Sequence, residues 1–69
     1  MSQKFRLVLK ERDGTGAPRQ QTYDAEDSVD VRDLTTRITF NVRADEISPY
    51  RHTLVLDGRE YQILHVIRQ

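Results

Sequence analysis

The chain has 69 residues, with 11 Lys and Arg against 11 Asp and Glu, two His and no Cys. That length makes one domain with no room for a second. The composition excludes disulfide staples and thiol catalysis, offers too few histidines for a structural zinc site, and gives no global charge to draw the chain to nucleic acid or an anionic membrane.

A domain of this size buries only about 60% of its unfolded surface, so it depends on regular sheet structure or on a partner surface. The apolar content of 36% is low for a chain with a core to fill. The branched and aromatic residues are nevertheless gathered into short alternating runs, which is not a disordered profile. No apolar run approaches the roughly 18 residues of a membrane span, and the N-terminus lacks an apolar signal core. The chain is expected to work where it is made, and the lack of cysteine fits a reducing compartment. Charge is unevenly spread: Lys4, Arg6, Lys10, Arg12 and Arg19 dominate the first twenty residues, while Asp24, Glu26, Asp27, Asp30 and Asp33 face only Arg32 in the middle. Such segregation is complementary between neighbouring copies, or is simply a set of solvated faces.

In chain order, Lys4–Glu11 reads as a first strand, with Phe5, Leu7 and Leu9 on one face and Val8 on the other. Residues 12–19 hold two glycines and a proline and read as a flexible hairpin loop. Gln20–Tyr23 is a weak return strand. Residues 24–34 are ambiguous. Asp24 suits the cap of a helix of one or two turns, with Glu26 and Asp27 where the helix dipole favours them, and an extended linker fits as well. Val29 and Val31, β-branched and two apart, suit a strand instead.

Thr36–Arg43 alternates strictly, which predicts a strand that buries Ile38, Phe40 and Val42 and turns Arg37 and Arg43 outward. Residues 44–52 form a polar loop broken by Pro49. A hairpin follows: Thr53–Leu56, the pair Asp57-Gly58, then Arg59–Ile67. Asp-Gly between apolar runs signals a type I′ turn, which needs positive φ at both central residues. These runs predict a β-meander through the second half. Tyr61 and Ile63 share a face, but both parities are apolar from Ile63 onwards, which implies a bulge or a strand buried on both sides. As the last strand it is expected at a sheet edge, where it invites pairing with another chain.

No catalytic constellation emerges. His52 and His65 are thirteen residues apart, and Ser2, Ser28 and Ser48 lack the context of an activated serine. Glu26-Asp27 and Asp45-Glu46 read as solvated loop acids, and His65 as a partly buried strand histidine. Gly14-x-Gly16 lacks the third glycine and the strand-to-helix setting of a phosphate cradle. A single-strand nucleic-acid platform needs aromatics interleaved with basic residues on one face. Arg37, Arg43, Arg51 and Arg59 are available, but Phe40 and Tyr61 read as core, the latter with its hydroxyl at the rim, which leaves only Tyr50 on a loop.

Taken together, Arg37-Ile38-Thr39-Phe40, Arg43, Ile47 and then Asp57-Gly58-Arg59-x-Tyr61-x-Ile63-x-x-Val66 resemble the head-tail joining, or head closure, proteins of tailed phages. The opening strand and its Asp13–Pro18 turn are similar to the start of that family, loosely. The chain is shorter than typical members between the opening hairpin and the Arg37 strand, and it lacks their further strand after the last hairpin. The resemblance implies a non-enzymatic protein without a cofactor or metal. It implies self-association as a ring beneath the portal, in contact with portal or connector and tail-completion proteins and with packaged DNA near the channel. The location it implies is the virion, assembled in the host bacterial cytoplasm. By the same resemblance the contacts come from the two loops and the outer edge: Arg12, Asp13, Thr15 and Arg19; Arg43, Ile47, Tyr50 and Arg51; Arg59; and the outward Leu64 and Val66. The fold expected is all-β, a small antiparallel meander curled toward a partial β-barrel with at most one short helix. The alternative function is a small β-barrel module that binds nucleic acid or a peptide.

Overall fold

The computed structural model describes residues 3–14 and 16–69. They form one all-β sheet of six antiparallel strands: β1 (Lys4–Glu11), β2 (Arg19–Asp24), β3 (Ser28–Asp33), β4 (Thr39–Arg43), β5 (His52–Leu56) and β6 (Arg59–Arg68). One 3-10 turn, Ala44–Glu46, follows β4. The order across the sheet is β2-β1-β6-β5-β3-β4, which leaves β2 and β4 as free edges, and the sheet does not close into a barrel.

Alternation places the core. Phe5, Leu7 and Leu9 are buried along β1, and Leu7 and Leu9 meet Val29 and Val31 of β3, Leu54 of β5, and Tyr61 and Ile63 of β6, with Val42 and Val66 packed against them. The β5–β6 hairpin turns at Asp57 (φ 52°) and Gly58 (φ 77°), the left-handed pair that its sequence predicts.

Three expectations about this frame change. The ambiguous stretch is neither helix nor linker: residues 28–33 form β3, held between β4 and β5, with Val31 opposite both Phe40 and Leu54. A side chain every second residue, flanked by apolar neighbours on both sides, outweighs the local capping signals. Those signals close a turn instead, in which the Asp27 carboxylate accepts the Asp24 N–H at 2.9 Å and the Asp27 N–H donates to the Asp24 carbonyl at 3.0 Å. In the second half, β4 pairs with β3 rather than with β5, so consecutive strands are not all neighbours. The last strand is not an edge: β6 lies between β1 and β5.

The doubled apolar parity of β6 is a bulge. Val8 faces His65 and Leu9 faces Ile63, which leaves Leu64 as the extra residue. Beyond it the inward parity switches, so Val66 lies opposite Leu7 on the core side and Ile67 is 40% exposed outside. His65, expected to be partly buried, is exposed.

The predicted strand over residues 36–43 begins only at Thr39. Thr35 and Thr36 donate their N–H groups to the Asp33 carboxylate at 2.7 and 2.8 Å, and Arg37 follows in the left-handed region at φ 64°. Ile38 is therefore 62% exposed in the turn. Phe40 has the predicted parity but sits on an edge strand, where it stays 38% exposed with its ring edge-on to His52 at 5.5 Å.

Candidate functional site

On the sheet face opposite the core, β3, β5, the residue after β1 and the turn before β4 bring polar residues together around one carboxylate of β6. Glu60 accepts from Arg37 Nη1 at 3.0 Å and Nη2 at 2.9 Å, from Arg12 Nη1 at 3.0 Å, from Arg32 Nη1 at 3.3 Å and from the Thr53 hydroxyl at 2.6 Å. Its side chain is 14% exposed, and Thr53 is 2% exposed. The two Arg37 bonds hold the Glu60 pKa down at about 2, against burial and with help from Thr53 and Arg12, so the carboxylate is fixed as an anion. The same pairing raises the pKa of Arg37. Three guanidinium groups share this one carboxylate.

Beside this cluster lies an open groove of about 260 Å³, lined by Arg12, Leu34, Pro49, His52, Thr53 and Gln62. The loop before β5 shapes its wall. His52 Nδ1 accepts the Ser48 N–H at 3.1 Å, and the Leu34 N–H donates to the Arg51 carbonyl at 2.8 Å. Tyr50 projects from this loop, 91% exposed. Asp33, at the end of β3, has its pKa lowered by the Thr36 N–H first and the Thr35 N–H second.

The candidate contact residues scatter around this frame. Arg12 lines the groove. Arg19 lies over the Tyr61 ring at 5.7 Å and is 3.5 Å from its hydroxyl, which places that hydroxyl near the rim. Arg43 pairs with Asp45 at 2.9 Å and Arg59 with Glu11 at 3.4 Å. Asp13 and Arg51 are exposed, and Thr15 lies outside the described residues. Two assignments are corrected: Ile47 is a core residue at 9% exposure, and Val66 faces the core because of the bulge. Leu64, at the bulge, is half-buried.

Sequence reasoning missed Glu60, Arg32 and Thr53 altogether, because each is ordinary outer-face strand polarity until non-local pairing sets them side by side. Thr53 is the one buried polar side chain among the described residues, and its place beside the apolar Leu54-Val55-Leu56 was the faint signal available. No family model, curated protein or solved structure matches this chain.

Proposed function

We propose that the chain is a structural virion-assembly protein of a tailed phage or prophage, which joins or closes the head-tail connector beneath the portal as one copy in a ring. The observation that carries the reading is how the scattered motif residues cooperate in space. Arg37, from the first half of the motif, is clamped bidentately on Glu60, the unspecified position within the Asp57-Gly58-Arg59-x-Tyr61 hairpin of the second half. Ile47 fills the core between the two halves. The two-residue spacing between Ile63 and Val66 is the bulge itself, and it brings both to the core side. Of the motif, Ile47, Tyr61, Ile63 and Val66 share one core, while Ile38 and Phe40 stay exposed.

The outward surfaces suit assembly. Two sheet edges are free, and Ile38, Phe40 and Tyr50 keep apolar surface in solvent. Loops on a rigid sheet are where binding commonly resides. The test is co-expression with the portal and connector proteins encoded in the same genome, followed by gel filtration. Stable co-elution in multi-copy stoichiometry is expected, and clean separation of the components overturns the reading.

A second reading, a small module that binds nucleic acid or a peptide, draws on Phe40 being exposed on the edge strand β4 and Tyr50 on the loop before β5. Salt-sensitive binding to single-stranded oligonucleotides, without portal binding, would favour it.

A further inference from the structure

We propose that the β4 edge pairs with the β4 edge of a second copy of this chain, antiparallel about a two-fold axis at Asn41. The inference goes beyond the connector reading and does not rest on it, because a two-fold pair closes on itself and builds no ring.

The bonds that flank β4 fix which of its backbone groups are already committed. The Asp33 N–H donates to the Ile38 carbonyl at 2.9 Å, and the Ala44 N–H donates to the Asp27 carbonyl at 2.8 Å. Bonded and non-bonded pairs alternate along an antiparallel ladder. Phe40 opposite Val31 and Val42 opposite Val29 therefore bond β3, while Thr39, Asn41 and Arg43 turn their N–H and C=O groups out of the sheet.

The other edge is less open. The Ala25 N–H donates to the Gln3 carbonyl at 2.8 Å, which by the same alternation turns Gln20, Thr22 and Asp24 of β2 outward. At Asp24 both groups are taken, the N–H by the Asp27 carboxylate and the carbonyl by the Asp27 N–H. β4 keeps all its outward positions and contains no lysine, proline or bulge of the kind that blunts an edge. Apolar surface runs alongside it, with Ile38 62% and Phe40 38% exposed.

The occupant follows from the symmetry of the outward positions. Thr39, Asn41 and Arg43 are spaced alike from either end, so the edge is its own complement. With Asn41 opposite Asn41 of the second copy, Thr39 meets Arg43 of the second copy and Arg43 meets its Thr39, each pair exchanging two backbone bonds. Phe40 then lies opposite Val42 of the second copy on the core side, in the close non-bonded position. That aromatic and β-branched pair covers the exposed ring. On the outer face no like charges meet. Arg43 faces a threonine and already pairs with its own Asp45 at 2.9 Å. Asp30, one strand inside Asn41, is three strand spacings from its counterpart, about 14 Å. Once paired, the edge offers no template to a third chain.

The experiment is sedimentation equilibrium of the full chain from about 10 µM to about 1 mM, with amide hydrogen exchange at both ends of that range. A five-residue edge makes a small, weak interface, so wild type is expected to pass from monomer to dimer across it. Exchange at Thr39, Asn41 and Arg43 should slow about tenfold at the high concentration, with Gln20 and Thr22 unchanged. Asn41→Lys sets like charges face to face on the axis and raises the dimer Kd about tenfold or more. Asn41→Pro removes the central outward N–H and spares every backbone bond to β3, and it serves should the lysine variant fail to fold. Thr22→Pro makes the same change on β2 and is expected to leave the dimer as it is. A wild type that is monomeric at the high concentration overturns the proposal. So does a dimer that survives both Asn41 variants, or one that protects β2 rather than β4.

Discussion

Arg37 and Glu60, 23 positions apart in sequence, share two hydrogen bonds of 3.0 and 2.9 Å, and Arg37 holds a left-handed backbone (φ 64°) while it makes them. A non-glycine residue in that region costs about 1 kcal/mol, so the ion pair and the turn oppose each other at one position. Arg37→Ala loses both bonds and keeps the strain. Arg37→Gly loses the bonds and releases the strain, and is expected to be milder than the alanine variant by about 1 kcal/mol. Arg37→Lys keeps the charge without the planar fork and falls short of wild type. Urea unfolding of the three variants checks the order, and equal destabilisation by Gly and Ala counts against a strained Arg37.

The same pair sets an acid limit on stability. The Glu60 pKa falls from 4.5 to about 2 on folding, chiefly through Arg37. A folded pKa below the unfolded one gives stability that is complete above about pH 4.5 and is lost as pH falls toward 2. That lowering sets a ceiling of about 3 kcal/mol. Because the side chains of Arg12, Arg32 and Arg37 are 34–44% exposed, screening brings the expected contribution to about 1–2 kcal/mol. Asp33 shifts in the same direction, so the informative quantity is the difference between wild type and Glu60→Gln. Thermal melts between pH 5 and pH 2 should show the two proteins converging as pH falls. A constant gap across that window contradicts the assignment.

What the sequence makes legible here is what neighbouring residues decide. Asp57-Gly58 sets its own turn, Phe5, Leu7 and Leu9 declare the face of β1, and the doubled parity after Ile63 announces a bulge. Pairing between distant segments is not written locally. Whether Val29 and Val31 belong to a helix or a strand is settled by Phe40 and Leu54 on either side. Phe40 has core parity, yet it is exposed because no strand lies beyond β4. β6 is interior because β1, from the other end of the chain, pairs along it. The Glu60 cluster draws on four such pairings, so no window of the sequence contains it.

The hairpin turn yields a prediction about backbone alone. Nothing lies within 4 Å of a Cβ built on Gly58, so a substitution there meets no steric obstacle, only the φ of 77°. Gly58→Ala is expected to cost about 1 kcal/mol, and Gly58→Val more, because its β-branched side chain tolerates positive φ least. Asp57→Pro is incompatible with φ 52° and should abolish cooperative unfolding. Circular dichroism melts of the three variants test the ranking, and a wild-type melting temperature for Gly58→Val removes the turn assignment.

The bulge at Leu64 predicts an asymmetry between two single-residue deletions. Beyond the extra residue, Val66 faces the core opposite Leu7, and Ile67 faces out opposite Arg6. Removing Leu64 leaves Ile63, His65, Val66 and Ile67 in plain alternation, with every inward side chain still inward. This variant should fold cooperatively, losing only the half-buried leucine and the local twist of the bulge. Removing Asp30 from β3, which has no bulge to absorb the slip, instead shifts that strand by one residue, drives Val31 out of the core from between Phe40 and Leu54, and turns Arg32 inward. A one-residue slip transfers a strand's apolar set to the wrong face, so this deletion should fail to fold or lose several kcal/mol, as expected for expelling a large buried side chain. Urea titration followed by tyrosine fluorescence separates the two outcomes, and equal loss in both deletions would contradict a bulge centred on Leu64.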